Sequence, residues 1–85
     1  MDTAPHAQHE SQLRIVFTSH AKLRLCAHRQ QGITADDVIA AANSIPYYCP
    51  RAIRFRNFKS KTGKPFSIVI CDSGKTRVII TIIGG

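Results

Sequence analysis

The alternation of apolar and polar positions along the chain predicts four strands and two helices. Apolar residues recur at every second position, or continuously, in four short segments typical of strands. These segments are residues 13–17, 51–58, 66–71 and 76–83. Two segments with helical spacing of apolar residues, 19–31 and 35–44, lie between the first two strands. The predicted order is therefore β-α-α-β-β-β.

Local residue types support the helix boundaries. Thr18 or Ser19 is suited to cap the first helix, and Gly32 is a residue type that commonly ends one. The predicted apolar stripe of this helix is Leu23, Cys26 and Ala27. Thr34 and Asp37 match a capping box at the start of the second helix, with Asp in place of Glu. The element order then predicts an α+β fold, in which both helices pack on one face of an antiparallel sheet.

The sheet face that the helices leave uncovered is predicted to be basic. Arg54 and Arg56 alternate with apolar neighbours in their strand. In the last strand Val78, Ile80 and Ile82 are apolar, which would place these even-numbered residues under the helices. The residues expected to point away are Arg14, Arg54, Arg56, Arg77 and Thr81, with Lys59, Lys61 and Lys64 of the next loop at the rim. Such a surface suits a phosphate backbone.

Length and composition bound the architecture. The chain has 85 residues, 44% hydrophobic and 20% charged, which fits one globular domain and excludes a disordered chain. Residues 1–12 lack apolar periodicity and are predicted to be a flexible tail preceding a single domain, 13–85. No apolar run approaches a membrane span, and the first residues do not match a secretory signal. We expect no membrane partner and a cytoplasmic location.

Charge predicts a polyanionic partner. The formal net charge is +7, and two of the five acids lie in the predicted tail. A small basic domain of this kind most simply binds nucleic acid, although solubility alone can also favour basic residues. The cysteines at 26, 49 and 71 are odd in number and widely spaced, which indicates a reducing compartment rather than a disulfide framework. Since Cys26 and His28 would lie on different helix faces, no metal or other cofactor is expected.

One stripe of the first helix has residues suited to RNA cleavage. His20, Arg24 and His28 follow one another at four-residue spacing. Cleavage needs a base for the 2′-hydroxyl, positive charge for the pentavalent phosphate and an acid for the leaving oxygen. His20 would be the base, with Arg24, Arg54 or Arg77 stabilising charge. Weaker candidates for the acid are His28, Tyr47 and Tyr48.

The stretch SHAKLRLCAHRQQGITADDVIAAA, residues 19–42, resembles an uncharacterised bacterial family. That family begins its first helix with His-Ala, followed by Arg one turn later and by Arg-Gly-Ile-Ser/Thr before a second helix. Its members are similar in fold to the RelE/ParE superfamily of bacterial toxins. The resemblance covers residues 13–83 and implies a toxin-like endoribonuclease or mRNA interferase, possible homodimerisation, and a small acidic antitoxin protein as partner.

Two alternatives remain open. RelE-type ribonucleases usually have a Tyr or His near the C-terminus as proton donor, whereas this chain ends TIIGG. That difference favours a non-catalytic nucleic-acid-binding module. The other alternative is a protein-binding toxin resembling ParE, which would have no RNA affinity beyond that of its charge.

Overall fold

A computed structural model describes residues 13–29 and 31–84, so the predicted tail lies outside the described residues. The element order is the predicted one. The elements are β1 (Arg14–Phe17), α1 (Ser19–Arg29), α2 (Ala35–Asn43), β2 (Ile53–Lys59), β3 (Pro65–Ser73) and β4 (Thr76–Gly84). None of the helices within these ranges is long and apolar enough to cross a membrane.

The four strands form one sheet in the order β1-β4-β3-β2, and the sheet is mixed. The β2-β3 and β3-β4 pairs are antiparallel as predicted, but β1 runs parallel to β4, so the prediction of an antiparallel sheet was wrong. The physical reason is the connection. Both helices lie between β1 and the next strand in the chain, so β1 is not joined to its sheet neighbour β4 by a hairpin. A hairpin would have made the two strands antiparallel.

The hydrophobic core lies between the two helices and one face of the sheet. Ile68 and Ile70 of β3 and Ile79 and Ile82 of β4 are fully buried. Val38, Ala41 and Ala42 of α2 belong to the same core cluster. Burying each isoleucine contributes about 1.5–3 kcal/mol to folding, so these central strands hold the domain together.

The capping box predicted for α2 is present. The Thr34 hydroxyl accepts a hydrogen bond from the Asp37 amide, and the Asp37 carboxylate accepts one from the Thr34 amide at 3.0 Å. Asp37 also accepts a hydrogen bond from the Lys61 amide at 3.1 Å. The cap therefore anchors the loop between β2 and β3 to the start of α2.

The predicted facing of β4 is confirmed for Thr81 and Ile82 but was wrong for Arg77 and Val78, because a bulge interrupts the alternation. Val69 of β3 pairs with Thr81, whereas the next residue, Ile70, pairs with Ile79. Ile80 is the extra residue, and both Ile79 and Ile82 consequently face the helices. Before the bulge the odd-numbered positions point inward, which takes Arg77 into the interior. A continuous period of two cannot anticipate an inserted residue.

The predicted apolar stripe of α1 was also wrong. Leu23 is 71% exposed, and Cys26 and Ala27 are exposed too. The face that packs inward has Ala21, Leu25 and His28. Since β1 ends opposite Ile79, the β4 carbonyl groups beyond that point need other donors, and α1 turns its polar side chains toward them.

Candidate nucleic-acid interface

Neither of the two described helices packs on the second face of the sheet, which is called the open face below. Strand pairing assigns to it Arg14, Val16, Arg54, Arg56, Ser67, Val69, Cys71, Val78, Thr81 and Ile83. All three acids of the described residues lie elsewhere: Asp36 and Asp37 on α2, and Asp72 in the interior. The described part of the open face therefore has positive charge without a compensating carboxylate.

Arg54 and Arg56 meet at one corner of the open face. Both line a shallow pocket of about 270 Å³, called the corner pocket, together with Ser67, Ile83 and Gly84. Only one ion pair forms among the described residues, Arg77 with Asp72, so no described carboxylate neutralises these two guanidinium groups. Two guanidinium groups and a hydroxyl lining one pocket are donors of the kind that bind phosphate.

A bulge in β2 shapes this corner. Phe55 pairs with Ile68 and Phe58 pairs with Phe66, which leaves Arg56 and Asn57 opposite the single residue Ser67. Asn57 has a φ of 72°, the left-handed conformation. The extra residue keeps both phenylalanines on the helix side while Arg54 and Arg56 stay on the pocket side.

The other predicted nucleic-acid-binding residues do not join this corner. Arg14 is exposed on the open face but lies three strands away from Arg54, about 14 Å across the sheet. Lys59, Lys61 and Lys64 are exposed, as expected of a loop. Lys59 and Lys61, however, line a separate groove beside α2, because Asp37 binds the loop there.

Arg77, predicted to be an exposed charge stabiliser, is 4% exposed on the helix side of β4. Its Nε and Nη2 donate to the two oxygens of the Asp72 carboxylate, each at 2.8 Å. Its remaining hydrogen bonds go to the carbonyl oxygens of Ala42 and Ile45, both from Nη1, and of Tyr47, from Nη2. These contacts use all five N–H donors of the guanidinium. Arg77 therefore fastens the end of α2 and the following linker to the sheet, with no donor left for a substrate.

Asp72 is the acceptor at the centre of this buried network. Burial alone would raise the pKa of its carboxyl group, but hydrogen bonds from Arg77 and from the Cys49 amide, with the guanidinium charge, hold that pKa below its usual value. The same ion pair raises the pKa of Arg77. Burial also raises the pKa of the Cys49 thiol, which keeps this cysteine protonated at neutral pH.

The depressed pKa of Asp72 predicts acid sensitivity. Its stabilising contribution is complete above the unfolded-state pKa of about 3.9. It is lost as the pH falls through that value and then through the lower folded-state pKa, since the carboxylate must then be protonated in the interior. Urea unfolding between neutral pH and pH about 2 should therefore show stability falling below about pH 4. Asp72→Asn should reduce this pH dependence, and a matched Asp36→Asn control should retain it.

The predicted stripe on α1 is only partly assembled. Arg24 Nε lies 3.4 Å from the carbonyl oxygen of Ile82, and His28 Nε2 lies 3.3 Å from the same atom. A carbonyl oxygen only accepts, so Nε2 of His28 is the donor in this contact. His20 is exposed near the start of α1, where the Thr18 hydroxyl caps the helix by accepting from the Ala21 amide.

His28, named as a weaker candidate for the acid, is 8% exposed, and its Nδ1 is buried without a hydrogen-bond partner in the structure. The ring packs against the backbone of Gly84, a residue that also lines the corner pocket. The helical stripe in the sequence named His28, but no sequence pattern placed it against Gly84, because that contact depends on where β4 passes beneath α1. The only clue was the absence of a side chain at position 84 near the end of a strand.

Gly84→Ala is expected to disturb this contact. A Cβ atom at position 84 would lie 2.8 Å from Cε1 and 2.9 Å from Nδ1 of His28. The ring must then shift away from Ile82, and overpacking of this kind costs about 1–3 kcal/mol. Urea unfolding of the two single variants and the double variant with His28→Ala would measure the coupling. An equal loss with and without the His28 ring would contradict the proposed clash.

The two tyrosines named as acid candidates are both exposed. The Tyr47 ring lies 6.0 Å from the ring of Phe55, in a tilted arrangement on the helix side. Within residues 13–29 and 31–84, no group of three or more His, Cys, Asp and Glu side chains is placed to hold a metal ion.

Fold and surface together define a small α+β domain with both helices on one face of a mixed sheet and arginines on the other. Comparison with known proteins found no matching family model, no matching curated protein and no matching solved structure.

Proposed function

We propose that this protein binds RNA through the open face, with Arg54 and Arg56 as the principal contacts. The supporting observation is the corner pocket that both arginines line on a face without a described acidic residue. Uncompensated cations repel one another, and a phosphate backbone relieves that repulsion by replacing bound counterions.

The open face favours binding by phosphates over recognition of bases. The four phenylalanines, Phe17, Phe55, Phe58 and Phe66, all face the helices. Stacking platforms on single strands use aromatic side chains, and strand pairing puts none of the described ones on the open face. Binding should therefore depend strongly on salt and weakly on sequence.

A labelled single-stranded RNA titrated at several salt concentrations tests this proposal. The logarithm of the association constant should fall linearly with the logarithm of salt concentration, by about 0.7 per phosphate contacted. Single-stranded DNA of the same length should bind similarly, since phosphates dominate. Affinity that does not depend on salt, or absence of binding at low salt, would refute the proposal.

Cleavage of the bound RNA is a second candidate function, because the Nδ1 of His28 has no hydrogen-bond partner in the structure and packs on the helix side of Gly84, whose other side borders the pocket. In this mechanism the 2′-hydroxyl attacks phosphorus, its proton passes to a base, and the departing 5′-oxygen is protonated. His28 and the exposed His20 are the histidines to test. If RNA is recovered intact from binding reactions with the wild-type protein, cleavage is excluded and the protein is a non-catalytic nucleic-acid-binding module. Cleavage lost in His28→Gln but kept in His20→Ala would assign the base to His28.

The element order and the residues at 19–42 also support membership of the RelE/ParE-like superfamily as part of this proposal. A small acidic antitoxin would then compete with RNA for the corner pocket. Co-expression with the product of an adjacent acidic reading frame, followed by RNA titration, tests this competition. A complex that still binds RNA with unchanged affinity would exclude the shared surface, and a ParE-like role would appear as a stable protein complex without RNA affinity.

A further inference from the structure

We propose that the corner pocket is a defined phosphate subsite and that Asn57 is the residue that positions it. This inference rests on the proposed RNA binding and deepens it, because it names one place where one phosphate sits. It also predicts that the subsite takes inorganic phosphate on its own.

The chemistry of the lining fits a single phosphate group. Arg54 and Arg56 provide guanidinium donors, and Ser67, which is largely buried, provides a hydroxyl. Gly84 also lines the pocket, on the side of the strand opposite the His28 ring. A guanidinium group can donate two parallel hydrogen bonds to two oxygens of one phosphate, which a single point charge such as an ammonium group does not reproduce.

Asn57 builds this pocket through its backbone. It is the only residue other than glycine with a positive φ among those the structure describes. If residues 55–58 alternated regularly, with no bulge, Phe58 would point to the open face, since successive side chains in a strand lie on opposite faces. The bulge keeps the Phe58 ring 5.7 Å from the Phe66 ring in the core and still leaves Arg54 and Arg56 lining one pocket.

Strain at this position makes the role testable by substitution. Asparagine tolerates the left-handed conformation better than most residues, glycine adopts it freely, and a β-branched residue resists it. Asn57→Gly should therefore keep the bulge, while Asn57→Val should straighten the strand or shift its pairing. Phe58→Leu is the matched control, because it weakens the same core contact without changing the backbone requirement at position 57.

The experiment is a titration of the whole protein with inorganic phosphate at constant ionic strength, in which NMR measures the chemical shifts of the backbone amide groups. Saturable shifts at Ser67 and Gly84 are expected in wild type, Asn57→Gly and Phe58→Leu. In Asn57→Val they should weaken about tenfold, as for the loss of one charged hydrogen bond. RNA affinity should follow the same order.

Four outcomes would overturn the inference. Shifts spread evenly over all basic residues would show nonspecific anion attraction. Equal weakening in Phe58→Leu and Asn57→Val would show that loss of stability is responsible. Unchanged phosphate binding in Asn57→Val would remove Asn57 from the site. RNA binding without pocket shifts would reject only the subsite, whereas phosphate binding without RNA binding would reject only the proposed function.

Discussion

Replacing Arg77 by methionine is expected to lower the free energy of unfolding by about 3–5 kcal/mol. The substitution removes five hydrogen bonds and leaves the Asp72 carboxylate without its cation in the interior. An uncompensated buried charge accounts for most of that cost. Small domains have total stabilities of about 5–15 kcal/mol, so the variant should be close to unfolding at ambient temperature.

Urea unfolding followed by circular dichroism measures this effect. Arg54→Met, which removes an exposed arginine from β2, is the matched control and should change stability by no more than about 0.5 kcal/mol. If Arg77→Met does not fold, Arg77→Lys keeps the charge and loses the bidentate geometry, and it should still lose stability. Stability within about 1 kcal/mol of wild type in either variant would contradict the structural role given to this network.

The second large effect is expected on RNA binding. Arg54→Gln combined with Arg56→Gln should reduce affinity at physiological salt by about tenfold per arginine, because each loses a charged hydrogen bond to phosphate. The slope of affinity against salt concentration should also fall by about 1.4 if each arginine contacts one phosphate of a single strand. Both side chains are exposed, so the fold should be retained.

The matched control removes two positive charges from elsewhere. Lys22 lies exposed on α1 and Arg51 lies exposed in the linker before β2. Lys22→Gln combined with Arg51→Gln gives the same net charge as the test variant, and its binding and salt slope should stay near those of wild type. If both double variants lose affinity equally, RNA responds to total charge and not to the corner of the open face.

The sequence by itself determined the element order, the α+β class and the start of α2. These features depend on local information: apolar periodicity, the Thr34–Asp37 capping box and turn residues such as Gly32 and Gly63. Arg54 and Arg56 were also correctly assigned to the uncovered face, because their strand alternates regularly up to Phe55. Within such a segment, a period of two is sufficient to separate the two faces.

Only the tertiary structure decided the direction of β1 and the inward face of α1. Both depend on which chain segment lies beside β4. Once β1 ends opposite Ile79, the carbonyl of Ile82 has no β1 residue to pair with, and Arg24 and His28 turn toward it in place of the predicted apolar stripe. The need to satisfy backbone groups outweighs the burial of Leu23, and local periodicity contains no information about that need.

Arg77 shows most clearly what the tertiary structure adds to the sequence. An arginine in a strand predicts a solvent-exposed position, because burying an unpaired charge is costly. The bulge at Ile80 and the carbonyl groups at the end of α2 instead create a buried site in which every guanidinium donor has a partner. Those partners lie 5 to 35 residues away in the chain. Residue type and local spacing therefore determine what each segment can form, and long-range hydrogen bonding decides which of its faces is buried.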